Sequence, residues 1–171
     1  NAIIIAELEP VLIPFQSINN WRHDKKAFLN ICERKDIKAV ILVHTFGEII
    51  DLNAFQKICN KKNIFLIEDI SQCIGGKYRN KPVGSFSDIS FSSTMGRKGL
   101  ITGSVGGLIH TKSKDIFKRV LSYADRGKYI NKQLQTSKDA TLNKFISLNF
   151  SADEFLCSIG SSSLKRLDKT N

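Results

Sequence analysis

Two short stretches between residues 39 and 67 carry no polar residue at all. Ala39-Val40-Ile41-Leu42-Val43 and Ile64-Phe65-Leu66-Ile67 are apolar at every position. Successive side chains of a strand point to opposite faces, so an unbroken apolar run predicts a strand covered on both sides. Strands of that kind belong to parallel sheets clothed by helices, and helix-like patterns fill the intervals between them. The chain is therefore expected to be α/β, with a mostly parallel sheet and right-handed crossovers.

The remaining pattern extends that alternation. Ile3-Ile4-Ile5-Ala6 and Pro10-Val11-Leu12-Ile13 read as short strands. A helix is predicted from Asp24, with Ala27, Phe28, Ile31 and Cys32 on one face, and another from Asp51, with Leu52, Phe55, Ile58 and Cys59 aligned. Tyr78 to Gly84 is turn-rich, Ile89 to Ser93 reads as a strand, and Gly106 to Thr111 as a glycine-led one. Ser113 is placed to cap a helix through Ile116, Val120 and Tyr123. Lys128 to Phe145 is polar and aperiodic, as expected of a long surface loop. Ser151-Ala152-Asp153-Glu154 has the form of a capping box before Phe155, Ile159, Leu164 and Leu167. There is no internal repeat.

With 171 residues, 42% of them hydrophobic, the chain can build one domain with a proper core. A formal net charge of +10 invites a nucleic-acid reading. The lysines are scattered over helix-like segments, however, and share no stripe with aromatic residues, so they are expected to be solvated helix faces and nucleic acid is not the expected partner. Cys32, Cys59, Cys73 and Cys157 form no CxxC pair. Three of them are expected to be small buried hydrophobes in a reduced, cytoplasmic setting. No apolar run approaches membrane-spanning length. The first residues (Asn1-Ala2-Ile3) and the last (Lys169-Thr170-Asn171) give the sequence the look of a piece of a longer protein.

In open α/β sheets ligands bind beyond the C-terminal ends of the strands. Those ends carry His44, then Glu68-Asp69, then Ser92-Ser93 with Thr94 and, a turn later, Lys98. Each residue alone has an ordinary use. Asp69 could cap the following segment, Gln72 could be an exposed helix residue, the hydroxyls could make a turn, Lys98 could be a surface charge, and His44 could be structural. Together they offer an acid for a protonated ring nitrogen, an amide, phosphate-sized hydroxyls and an amine, which are the groups that pyridoxal phosphate needs. Glycines 96, 99, 103, 106 and 107 surround Lys98 and point to a tightly turning loop. The phosphate-loop fingerprints, metal-ligand spacings and GxSxG elbow are all missing from the sequence.

The order and spacing of these segments resemble the DegT/DnrJ/EryC1/StrS family of pyridoxal-phosphate-dependent sugar aminotransferases, within the fold-type I aspartate aminotransferase superfamily. The resemblance covers essentially the whole chain. It includes Val43-His44-Thr45-Phe46-Gly47, Ile67-Glu68-Asp69-Ile70-Ser71-Gln72, Val83-Gly84-Ser85, Asp88-Ile89-Ser90-Phe91, the Lys98 loop ending in Gly106-Gly107, and Leu148-Asn149-Phe150. It implies a three-layer α/β/α large domain over residues 1–171. It also implies that the phosphate-binding turn and ring-stacking aromatic precede Asn1 and that the small domain follows Asn171, so the segment alone would be inactive.

The resemblance further implies that Lys98 is the catalytic lysine that bonds the cofactor's aldehyde and then moves a proton, and that Asp69 pairs with the ring nitrogen. It gives Gln72 to the phenolic oxygen, Ser93 to the phosphate, and Asn149 to the phosphate of a neighbouring subunit in a homodimer. His44 is the expected substrate contact. No metal is expected. A nucleotide-sugar substrate and an amino-acid donor, glutamate by expectation, would be the reactants. A lysine rather than a histidine at position 98 favours transamination over deoxygenation. Three positions depart from the family pattern: Ser151 replaces an arginine, Val105 an acid, and Gly99 an asparagine. The departures bear on substrate contacts and loop geometry. The rival expectation is a non-catalytic relative of the fold that binds through its basic surface.

Overall fold

A computed structural model describes residues 1–125 and 149–167. The chain forms two compact units, Asn1–Val40 with Ile50–Phe65, and Ile41–Ile49 with Leu66–Asn171.

The first unit opens differently from the sequence expectation. Ala2–Ile5 is a single helical turn (α1), and residues 10–13 form no strand. A run of three isoleucines favours a strand only where a partner strand can pair with it, and here Ile4 and Ile5 lie exposed instead. The strands fall later, as an antiparallel hairpin of β1 (Phe15–Ser17) and β2 (Asn20–His23). Cross-strand rings stabilise it, with Phe15 stacked 5.2 Å from His23 and 6.4 Å from Trp21. Trp21 also donates its Nε1–H to the Ile18 carbonyl across the turn, at 2.7 Å.

The two predicted helices of this unit are present. In α2 (Lys25–Cys32) the Asp24 carboxylate caps the first turn, accepting from the amides of Lys26 at 2.8 Å and Ala27 at 3.0 Å. In α3 (Leu52–Lys62) the chain leaves through Asn63 in the left-handed conformation, with Lys61 and Lys62 at the negative end of the dipole. The two helices bury Phe28, Cys32, Leu52, Phe55 and Cys59, and the rings of Phe28 and Phe55 meet at 4.7 Å. Burying each of those rings contributes roughly 2–3 kcal/mol, which is why these short amphipathic helices persist.

The sheet is four-stranded, in the order β3 (Ala39–Val43), β4 (Phe65–Asp69), β7 (Ile89–Ser93), β8 (Gly107–Thr111). β4 and β7 are parallel, with Glu68 opposite Ser90 and Asp69 opposite Phe91. β8 joins β7 antiparallel. The α/β class holds, with a mixed, mostly parallel sheet. The turn-rich segment before β7 is a small hairpin of β5 (Lys77–Tyr78) and β6 (Lys81–Pro82). Its two turn residues, Arg79 and Asn80, both have positive φ, as a tight two-residue hairpin requires.

Ser113 caps α4 (Lys114–Ala124) as expected, its Oγ accepting from the Ile116 amide at 3.3 Å. The cap of α5 (Glu154–Leu164) is not the expected Ser151. Asp153 fills the position, accepting from the Leu156 amide at 2.8 Å, because the helix begins two residues later than a Ser151 box requires. Ser151 turns back and donates to Asn149 Oδ1 at 2.8 Å. The predicted loop over Lys128 to Phe145 lies outside the described residues. Cys32, Cys59 and Cys73 are buried and Cys157 is exposed, all four as free thiols. Among the described residues no helix is long and apolar enough to cross a membrane.

Candidate functional site at the strand ends

Strand alternation separates the two neighbouring carboxylates at the end of β4. Glu68 points to the buried face and is 0% exposed, while Asp69 points to the other and is half-buried. Glu68 is fully engaged in the interior. Its Oε2 accepts from the Gly84 amide at 2.9 Å and faces His44 Nε2 at 3.3 Å, and its Oε1 accepts from the Phe86 amide at 3.2 Å. Burial alone pushes the Glu68 carboxyl up. The hydrogen bonds from His44 and the Gly84 amide outweigh it and hold the group below its ordinary value. An ionised carboxylate only accepts, so His44 presents an Nε2–H to it.

Gly84 is required for this arrangement. Its φ is +83°, and a Cβ there would lie 2.6 Å from Ser90 Oγ. A side chain there would strain the backbone and press on the Ser90 side chain of β7.

Asp69 is held by a local turn. Its Oδ1 accepts from the Ser71 amide at 2.9 Å, and Ser71 Oγ in turn accepts from the Ser93 amide at 2.9 Å. That second bond ties the segment after β4 to the end of β7. The backbone of His44 donates to the Asp69 carbonyl at 3.3 Å, tying in the segment after β3. There, Phe46 is held at φ 56° within the turn Thr45–Gly47, and its amide donates to Gln72 Oε1. Amide oxygen and amide nitrogen are thereby told apart. With Oε1 committed, the Gln72 NH2 is the end left to donate elsewhere.

Ser93 is half-buried, and its Oγ accepts from the Met95 amide at 3.3 Å. Lys98 follows in the next turn, its backbone amide bonded to the Met95 carbonyl at 3.1 Å and its side chain half-buried. Among the described residues no group pairs with the Lys98 amine, and no cation lies within salt-bridge reach of Asp69. Ser92 Oγ is buried with no hydrogen-bond partner among them.

Three of the residues expected from sequence, Asp69, Gln72 and Ser93, belong to hydrogen-bonded turns beyond β3, β4 and β7, and Lys98 lies within the loop between β7 and β8. Two stand apart from these turns, Asn149 being the one expected to serve a neighbouring subunit. His44, the expected substrate contact, is 0% exposed with its ring on Glu68, so in this structure it presents no face to a ligand. Asn149 is exposed and bridges Asp125 at the end of α4, and no hydrogen bond among the described residues links it to the others. Sequence reasoning passed over Glu68, Ser71 and the Phe46 amide. Glu68 had a signal, since of two adjacent acids at a strand end only one can face outward.

The open valences are complementary to a definite kind of molecule. A half-buried carboxylate lacking a cation suits a protonated ring nitrogen. An amide NH2 suits an anionic oxygen, hydroxyls suit a phosphate, and an unpaired amine suits an aldehyde. Those are the groups of pyridoxal phosphate, and the residues present fit it. Among the described residues no cluster of His, Cys, Asp or Glu could hold a metal ion.

Known proteins agree with this fold. The family model described as the DegT/DnrJ/EryC1/StrS aminotransferase family matches residues 1–171. The GDP-perosamine synthase of Escherichia coli O157:H7 is 30% identical over 131 residues, which are 77% of this chain and 34% of that protein. The UDP-4-amino-4,6-dideoxy-N-acetyl-beta-L-altrosamine transaminase of Campylobacter jejuni is 27% identical over 98% of this chain and 43% of its own length. Among solved structures, PseC of Helicobacter pylori, an aminotransferase involved in the biosynthesis of pseudoaminic acid, superimposes with a TM-score of 0.83 at 23% identity, over 98% of this chain and 43% of that one. This chain thus spans less than half the length of the relatives it matches.

Proposed function

The chain belongs to the DegT/DnrJ/EryC1/StrS aminotransferase family, and from that premise we propose that it carries the cofactor-binding core of the large domain of a pyridoxal-phosphate-dependent aminotransferase. The reaction proposed moves an amino group from an amino acid, glutamate by preference, to a keto sugar nucleotide on the way to an amino sugar of a surface polysaccharide. The observation that carries this reading is a set of groups beyond the strand ends that, among the described residues, stand open: a carboxylate without a cation, an amide with its NH2 uncommitted, and an amine without an acid. The names of the relatives, a GDP-perosamine synthase and a UDP-amino-sugar transaminase, support the substrate class.

When bound, the cofactor supplies an electron sink for the carbon that gains or loses a proton. The protein's own residues do the rest. Asp69, fixed by the Ser71 amide, accepts from the protonated ring nitrogen and keeps it charged. Gln72, oriented by the Phe46 amide, donates to the ring oxygen. The Ser93 hydroxyl donates to the phosphate. Lys98 is the residue that would bond the aldehyde carbon, with loss of the aldehyde oxygen as water, and its freed amine would hold and return the proton. Asn149 is assigned to the phosphate of a neighbouring subunit, in a cytoplasmic homodimer whose remaining pocket walls come from the rest of the polypeptide. His44 acts through Glu68, as part of the support behind Asp69.

The test is a half-reaction. The full-length protein, loaded with pyridoxal phosphate and mixed with glutamate, should yield 2-oxoglutarate in an amount equal to the cofactor, and sustained turnover should require a keto sugar nucleotide. Lys98→Ala should abolish both. A loaded protein that releases no keto acid from any amino acid, and that binds nucleic acid in a salt-dependent way, would support the non-catalytic reading instead.

A further inference from the structure

An amine on a loop is useful only if the loop's base is fixed, because an untethered segment spreads a side chain over many positions. The loop that carries Lys98 leaves β7 and returns to β8, and its base is closed twice.

The first closure is a pair of threonines. The Thr94 amide donates to the Gly106 carbonyl at 2.9 Å, and the Thr102 amide to the Thr94 carbonyl at 3.1 Å. The two side-chain hydroxyls then meet at 3.0 Å. Thr94 is wholly buried. A Cβ on Gly106 would stand 2.7 Å from Thr94 Oγ1 and 3.0 Å from Thr102 Oγ1, so the hydroxyl pair depends on glycine there.

The second closure comes from α5. Ser163, buried near the end of that helix, accepts at its Oγ from the Ile101 amide at 3.1 Å. On the same helix, Gly160 would place a Cβ 3.0 Å from Thr102 Cγ2, and Ile159 lies where a Cβ on Gly103 would be 2.7 Å from its Cδ1. Ile159, Gly160 and Ser163 share one helix face and grip residues 101–103. Loop and helix are separated by some sixty residues of chain, so this contact is built by the fold and not by local sequence.

We propose that Thr94, Thr102 and Ser163 are positioning residues for the Lys98 amine, the threonine pair closing the neck of its loop and Ser163 fastening that neck to α5. The inference rests on the reading of Lys98 as the cofactor lysine. A merely structural clasp would alter stability and leave the amine's chemistry untouched, and that difference can be measured.

The experiment uses the full-length protein and three variants: Thr102→Val, which keeps the shape and removes the hydroxyl; Thr102→Ser, which keeps the hydroxyl; and Ser163→Ala, which leaves the threonine pair intact. Hydrogen exchange is followed without cofactor at the amides of Thr94, Ile101 and Thr102. The pH midpoint of the absorbance change is followed after loading with pyridoxal phosphate. Thr102→Val and Ser163→Ala should exchange about tenfold faster at those amides, the value of one lost hydrogen bond. They should also shift the absorbance midpoint and lower kcat more than they change KM. Thr102→Ser should restore both readouts. If Thr102→Val does not fold, Ser163→Ala decides alone. A wild-type midpoint and kcat in variants that exchange faster would overturn the inference and leave the cofactor reading standing. A Lys98→Ala protein with an unchanged spectrum would overturn the cofactor reading and this inference with it.

Discussion

Glu68 and His44 meet in the interior with Oε2 and Nε2 3.3 Å apart, and neither side chain reaches solvent. The carboxylate also takes the amides of Gly84 and Phe86, so one buried charge organises three backbone segments behind the strand ends. Removing one partner of such a set leaves the others unpaired. Glu68→Ala should therefore cost about 3–5 kcal/mol in urea unfolding, and Glu68→Gln, which keeps one acceptor, about 1–3 kcal/mol. A Glu68→Ala protein within about 0.5 kcal/mol of wild type would contradict this account of the network.

The same group has a pH signature. Its folded value is depressed, so its contribution is fully present above the ordinary carboxylate range and is lost as pH falls through the folded value. Stability measured from neutral pH downward should fall less steeply in Glu68→Gln than in wild type. Parallel curves would mean that Glu68 does not carry the acid sensitivity.

A side chain at Gly84 should be destabilising. Its positive φ and the 2.6 Å approach to Ser90 Oγ predict a loss of about 1–3 kcal/mol in Gly84→Ala. Ser90 Oγ has no hydrogen-bond partner among the described residues. Ser90→Ala should consequently be mild alone and should recover part of the loss in the double variant, read from thermal midpoints.

The four cysteines should react at two rates. Burial pushes the Cys73 thiol up to about 12, with the negative charges of Glu68 and Asp69 adding to it, and burial likewise raises Cys32, assisted by Glu33. Cys59 is 0% exposed and Cys157 is open on α5. A thiol reagent at neutral pH should modify Cys157 quickly and the other three only on unfolding. A second fast thiol, removed by Cys73→Ser, would contradict the packing described after β4.

The sequence carried the fold wherever one residue's environment is local. Asp24 before Ala27, Phe28 and Cys32 announces α2, and the apolar run at Ala39 announces β3, because capping and periodicity act within a few residues. Ile3-Ile4-Ile5 misled for the opposite reason. β-branched residues become a strand only with a partner strand, and that partner is a property of the whole fold. The site divides along the same line. Asp69, Gln72, Ser93 and Lys98 could be proposed from their places at the strand ends and from the family resemblance. The inward turn of Glu68, the Phe46 amide on Gln72 and the Ser163 anchor could not, since each depends on a contact between residues far apart in the chain.

The most direct measurement is to load the full-length protein with pyridoxal phosphate, reduce it with borohydride, digest it and map the labelled lysine by mass spectrometry. The account predicts one pyridoxyl group, on Lys98, and none on that peptide's counterpart in Lys98→Ala. Label on a different lysine with Lys98 unmodified, or no label at all, would contradict it.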